Sequence, residues 1–180
     1  MADLTTERLS LRSFGPDDVD FVFDMYSRWE VQRFIGLVPR VMTDRAEAVE
    51  RVERYAALEH PVHGIWAITD RVTGGRLGVA LLKPLPASGP ESPLLPSGDV
   101  EIGWHLHPDA WGHGYASEAA RAVLDHAFAG GLPRVLAVTN PGNRASQVVA
   151  LRIGMTHLGT TDAYYNATCE LFGIDRPAAP

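Results

Sequence analysis

The segment Trp111-Gly112-His113-Gly114-Tyr115-Ala116 constrains this chain more than any other. It joins a strand-like run, Val100 to Leu106, to an amphipathic helical run that begins near Tyr115. A strand, a glycine turn and a helix start form a cradle for an anion. The glycines let the backbone approach a ligand with no Cβ in the way, and the unpaired N–H groups of the first helical turn point at incoming negative charge. The expected guest is a phosphate or pyrophosphate. Glycine-rich turns of this kind also occur for packing alone, so the rest of the chain has to decide.

Two common nucleotide motifs fit poorly. A Rossmann fingerprint asks for a third Gly or Ala three residues after the second glycine, where Ser117 stands. Its acidic ribose ligand, about 20 residues further on, has no candidate in Arg134 to Thr139. No Lys-Ser or Lys-Thr pair follows the glycines, so a Walker loop is absent as well.

The segment resembles the Arg/Gln-x-x-Gly-x-Gly/Ala loop of the GCN5-related N-acetyltransferases (GNAT), which holds the pyrophosphate of acetyl-CoA. Trp111, Gly112, His113, Gly114, Tyr115 and Ala116 fill its six places, with Trp111 where Arg or Gln is usual. Trp-Gly-x-Gly-Tyr-Ala followed by Glu118-Ala119 is similar to the ribosomal-protein N-terminal (RimJ/RimL-like) branch. So are the start, Leu4 to Arg12, and the segment Asn140 to Met155, which resembles an Asn-x-x-Asn-x-x-Ser run ending in Gly-Phe, here Gly154-Met155.

The resemblance implies an α/β GNAT fold, a central, mixed, strongly twisted sheet of about six to seven strands flanked by about four helices. It implies acetyl-CoA as cosubstrate, with contacts at Leu106, His107, Trp111, Gly112, His113, Gly114, Tyr115, Ala116, Ser117, Asn140, Asn143 and Ser146. Of these, His113 is expected to act through its backbone N–H rather than its imidazole. A homodimer is a family-level expectation.

At 180 residues and 46% hydrophobic, the chain can bury one sizeable core, and a single domain over 1–180 is the expectation. No apolar run reaches the roughly 18 to 20 residues that span a bilayer, and Asp3 and Glu7 replace any signal-peptide h-region. A soluble, cytoplasmic protein with no membrane partner is expected. Cys169 is the only cysteine and reads as a small buried hydrophobe on a late strand. The seven histidines lack ligand spacing, so no metal is expected. A formal net charge of −6 argues against sequence-independent nucleic-acid binding.

Along the chain, Arg8 to Arg12 alternates as a strand, and Pro16-Asp17-Asp18 opens a helix in which Phe21, Met25 and Trp29 recur at near-helical spacing. Asp44 and Glu47 form a candidate capping box for a second helix, whose face includes Ala48, Val49, Val52, Tyr55 and Ala56. Residues 64–68 and 76–83 read as a hairpin around Thr73-Gly74-Gly75. The Pro-rich stretch 84–98 reads as a surface loop and a candidate substrate lid on the acceptor side of the resembled fold. A helix over 116–128 stopped by Gly130-Gly131, a strand over 134–139, a helix capped near Asn143 and closing strands near 156–161 and 167–174 complete a mixed α/β order.

Acetyl transfer to an amine needs a neutral nucleophile, a polarised thioester carbonyl and a donor for the departing thiolate. Glu101 resembles the family's glutamate base; its alternative is a strand-end carboxylate meeting solvent or a Lys or Arg. On an extended Val100–Leu106, Glu101, Gly103 and His105 share one face, which sets Glu101 and His105 about 13 Å apart. His105 is a second candidate base and a substrate-side residue, or a hydrogen-bonded structural histidine. The resemblance places the carbonyl against a backbone N–H near Leu106, the thiolate against Ser146, and the pantetheine arm against Asn140 and Asn143. Asn and Ser also cap helices. Tyr164 and Tyr165 resemble the acceptor wall, or are packing aromatics. The function expected is N-acetyl transfer from acetyl-CoA to a protein N-terminus or small amine. The alternative is a catalytically silent acyl-CoA-binding sensor of the same fold.

Overall fold

The computed structural model describes residues 2–178. Eight strands form one sheet in the order β1-β2-β3-β4-β5-β6-β8-β7: β1 (Leu4–Thr5), β2 (Leu9–Arg12), β3 (Gly64–Asp70), β4 (Arg76–Pro86), β5 (Pro96–Leu106), β6 (Arg134–Thr139), β7 (Thr156–Tyr164) and β8 (Ala167–Asp175). Five α-helices accompany it: α1 (Val19–Ser27), α2 (Trp29–Gln32), α3 (Arg45–Ala56), α4 (Tyr115–Ala129) and α5 (Arg144–Arg152). The extra strand is the two-residue β1, too short to show alternation. The extra helix arises because Arg28 is extended, at φ −89° and ψ 122°, and splits the first helical segment. The break turns Trp29 out to 55% exposure, and the buried face of α1 is Val19, Val22, Met25 and Tyr26.

Each sheet face carries its own core. Ala119, Ala120, Val123, Leu124 and Ala127 of α4, with Ala150 of α5, pack on Ile102 and Leu106 of β5 and Val135 and Ala137 of β6. Burying each of the larger of these side chains is worth about 1.5–3 kcal/mol. On the other face, α1 and α3 pack Val22, Met25, Tyr26, Ala48 and Val52 over Ala67 and Val79. The Asp44–Glu47 capping box forms as the sequence indicates.

The expected loop over 84–98 is shorter than predicted. The β4–β5 ladder runs on to Pro86 and resumes at Pro96, which leaves 87–95 as the connection. Pro84 breaks nothing. His107 N–H donates to Leu77 O, so even-numbered residues of β4 direct their own N–H groups away from β5, toward β3. Because β3 ends at Gly64 opposite Leu82, no acceptor stands where the missing N–H of Pro84 would point.

One pairing shapes the whole site. All neighbouring strands are antiparallel except β5 and β6, which run parallel and pair only at Glu101↔Leu136. Beyond that rung β5 stays on β4 as far as Gly78↔Leu106 while it parts from β6. The sheet is therefore forked, and Ile102 to Leu106 line one side of the fork.

Candidate active site

The fork exposes backbone donors. Since His107 N–H bonds to β4, the ladder alternation turns the Leu106 N–H away from β4 and toward the gap. The Leu106 carbonyl accepts from Trp111 Nε1 at 2.9 Å, which ties the glycine loop to the strand end. Trp111 thus occupies the first place of the loop as an anchor for its backbone.

Gly112 and Gly114 both have φ of +80°, in the left-handed region that favours glycine. A Cβ on Gly112 would meet nothing within 4 Å, so backbone conformation rather than packing calls for glycine, and the space above it is open. Gly114 is the N-cap of α4 and supplies no side-chain cap. Glu118 N–H is the first to bond back, to Gly114 O at 3.1 Å, which leaves the amides of Tyr115, Ala116 and Ser117 without intrahelical acceptors. These features fit a pyrophosphate of the CoA type.

The connection between β1 and β2 braces this cradle. Arg8 pairs with Glu118 at 2.6 Å, donates to His113 O at 3.0 Å and lies over the Tyr115 ring. Thr6 Oγ1 donates to Glu118 at 2.5 Å. Although burial opposes ionisation of Glu118, hydrogen bonds from Thr6 and Arg8 hold its carboxyl below the usual range. Sequence reasoning missed Arg8 and Glu118 as a pair, since nothing in local spacing signals a contact 110 residues apart.

At the root of the fork, Glu101 is 6% exposed. Lys83, its cross-strand partner, lies 2.7 Å from Oε1, and the Tyr165 hydroxyl donates to the same oxygen. Lys83 also donates to Tyr165 at 2.7 Å. Burial, and then the charge of Glu101, push the Tyr165 hydroxyl well above its ordinary range, so it remains a donor. Oε2 makes no hydrogen bond among the described residues. Tyr164 donates to Asp99 at 2.8 Å, and burial with that bond raises it to about 12. Lys83 was not singled out from sequence because the register of the hairpin across a proline-rich connection was not readable.

His105 is on the Glu101 face, as the alternation predicts, with Nδ1 2.9 Å from the Tyr26 hydroxyl. Burial, reinforced by the charges of Arg51 and Lys83, lowers its pKa to about 4. It is neutral at physiological pH and too weakly basic to be a good proton acceptor. The His107 imidazole is committed to α1, with Nε2 3.0 Å from Asp24 and Nδ1 accepting from Asp109 N–H. Its backbone is committed as well, the N–H to Leu77 O and the carbonyl to Ala110 N–H, both at 2.9 Å, so His107 secures the strand end rather than presenting a free group at the cradle.

At the other side of the fork, Asn143 caps α5 by accepting from Ser146 N–H at 3.2 Å, and Asn140 Oδ1 accepts from Gly142 N–H at 2.9 Å. The capping reading is therefore realised for Asn143, whereas Asn140 closes a side-chain turn in the connection between β6 and α5. Their amide NH₂ groups and the Ser146 hydroxyl make no hydrogen bond among the described residues. No group of three or more His, Cys, Asp or Glu is placed to hold a metal among those residues, and no helix there is long and apolar enough to cross a membrane.

A forked mixed sheet with a two-glycine helix cradle at its mouth is the architecture of an acetyltransferase. The profile described as Acetyltransferase (GNAT) domain matches residues 8–156. The chain is 31% identical over 163 residues to the uncharacterized N-acetyltransferase YoaA of Bacillus subtilis, covering 89% of this chain and 86% of that protein. The crystal structure of an acetyltransferase from Agrobacterium tumefaciens superposes with a TM-score of 0.74 at 28% identity, over 97% and 94% of the two chains. In fold alone, the chain also resembles RimL, a ribosomal L7/L12 alpha-N-protein acetyltransferase solved with coenzyme A, with a TM-score of 0.75 at 18% identity over 97% and 98%. The chain belongs to the GNAT family, and it is an N-acetyltransferase.

Proposed function

We propose that this protein transfers the acetyl group of acetyl-CoA to a primary amine, a protein N-terminus or a small molecule, by direct attack in a ternary complex. The observation that carries the reading is the coincidence of three features at one fork: the open cradle at Gly112–Ser117, the unpaired Leu106 amide and the buried Glu101. RimL, which shares the fold, was solved with coenzyme A, and that supports the choice of cosubstrate.

Each residue then has a task. The α4 amides hold the pyrophosphate, and Trp111 keeps that loop docked on β5. The Leu106 N–H polarises the thioester carbonyl at little reorganisation cost. Glu101, through Oε2 or an intervening water, takes a proton from the ammonium so that its nitrogen can attack. Lys83 and Tyr165 fix the carboxylate through Oε1. The Ser146 hydroxyl hydrogen-bonds the leaving thiolate, which takes up the proton that the attacking nitrogen sheds as the amide forms. Asn140 and Asn143 offer their free amide groups to the pantetheine arm.

The Lys83 ion pair also favours a second reading, in which Glu101 is a structural charge and the protein binds acyl-CoA without turnover. Calorimetric titration with CoA and acetyl-CoA, followed by thiol release over a panel of amines, separates the two. Micromolar binding that is lost in Gly114→Glu, with transfer that falls about 100-fold in Glu101→Gln, supports the enzyme. Binding without transfer to any amine supports the silent binder. No binding of either ligand overturns both.

A further inference from the structure

One half-buried cation has no counter-charge. Arg12, Arg28 and Lys83 are half-buried, and each meets a carboxylate within 2.9 Å. Arg51 of α3 is half-buried too, yet it makes no ion pair among the described residues. Its guanidinium lies over the Tyr26 ring, 4.3 Å from the centroid, and the Tyr26 hydroxyl is 2.9 Å from His105 Nδ1. Stacking on an aromatic face offsets part of the cost of desolvating the cation but supplies no negative charge.

The place of Arg51 in the fold says which ligand could supply that charge. The cradle belongs to α4, which packs on one face of the sheet, whereas Arg51 stands with α1 and α3 on the other. His105 pairs with Val79, a residue of the α1/α3 core, and therefore points to that second face, as does Glu101 four residues earlier. After burial itself, the charges of Arg51 and then Lys83 are what lower the basicity of His105, so its imidazole lies in the field of two cations. Lys83 is neutralised by Glu101, and Arg51 is not. An acceptor whose only charges are positive meets this field unfavourably, while a carboxylate on the acceptor completes it.

We infer that Arg51 binds a carboxylate of the acceptor and is a specificity-determining residue, so that the protein acetylates carboxylate-bearing amines in preference to amines whose only charges are positive. The inference rests on the acetyl-transfer reading above and narrows its acceptor class. A free amino acid and a peptide N-terminus next to an acidic residue both present this chemistry. A guanidinium suits the task because its planar fork meets both carboxylate oxygens.

The test is thiol release from acetyl-CoA by the full chain over paired acceptors. One set is amino acids against their carboxamides; the other is tetrapeptides with an acidic second residue against the same peptides with the corresponding amide. Spermidine is the polycationic control. The amine of an amino-acid carboxamide is less basic and more often neutral, so chemistry alone favours the carboxamide, and a carboxylate preference has to come from the protein. In the wild type, kcat/KM should be about tenfold or more higher for the carboxylate member of the best pair, and the set that holds this pair identifies the source. Arg51→Met, which keeps an apolar stem over Tyr26, should bring the ratio to about one through KM rather than kcat, and Arg51→Lys should restore part of it. If the methionine variant does not fold, Arg51→Gln gives the same readout. A wild-type ratio short of tenfold in both sets, or a ratio that survives the loss of the guanidinium, would overturn the inference and leave acetyl transfer to other amines intact. CoA binding with no transfer to any acceptor, spermidine included, would remove both.

Discussion

Tyr165 adopts φ of 60°, and its neighbour Asn166 φ of 53°. Two left-handed residues in succession form the tight β7–β8 turn, which closes on the Tyr164↔Ala167 pair. For Asn this is ordinary; for a bulky aromatic it costs about 1 kcal/mol or more, tolerated where the surroundings over-determine the position. Here the ring is held by its hydroxyl contacts to Glu101 and Lys83. Tyr165→Phe keeps turn and ring but frees the carboxylate to rotate, and kcat for acetyl transfer should drop about tenfold with KM for acetyl-CoA unchanged, as steady-state kinetics would show. Gly78 is constrained by proximity instead. A Cβ there would lie 2.4 Å from His105 O and 2.9 Å from Leu106 Cα. Gly78→Val should push β5 off β4 and destabilise the protein by about 2–3 kcal/mol in denaturant unfolding.

The connection 87–95 and the β7–β8 turn behave as one element. Ser88 N–H donates to Ala163 O, and Asn166 both accepts from Gly89 N–H at 2.8 Å and donates to Gly89 O at 3.0 Å. The stretch expected as a lid is pinned beside Tyr165, on the side of the sheet where Glu101 lies. Asn166→Gly retains the left-handed turn while removing both side-chain bonds, so amide hydrogen exchange in 87–95 should accelerate and that in β6 should not. At this scale the limits of sequence reading are plain. The cradle was legible because six consecutive residues carry it, and the Asp44–Glu47 cap because it spans one turn. Lys83–Glu101 depends on a register fixed by where a proline-rich ladder stops, and Tyr-Asn is not a turn signal that alternation or glycine reveals. The Pro84–Gly98 boundaries erred because proline reads as a breaker unless the direction of each missing N–H is known.

Across the molecule, the buried Asp18 and the half-buried His105 both shape the acid response. Asp18 is 1% exposed, and burial alone would raise its pKa. Hydrogen bonds from Arg12, Gly15 N–H and Arg76 prevail and lower it from 3.8 to about 2. A depressed carboxyl stabilises the fold above its unfolded value, so about 2 kcal/mol should be lost as pH falls from near 4 to 2. His105, lowered from 6.5 to about 4, acts earlier. The unfolded chain takes up its proton first, and about 3 kcal/mol should be lost between pH 6.5 and 4. Thermal midpoints against pH should therefore fall in two stages; His105→Gln should flatten the upper one and Asp18→Asn the lower. The forked sheet links stability to work in a different way. Glu101 and Leu136 form the last rung before β5 and β6 part. A sheet that went on zipping past this point would satisfy more of its own amides and have nothing left to offer a thioester. The fold is useful because it stops short of completing itself, and the residue at the stopping point is the one we propose moves the proton.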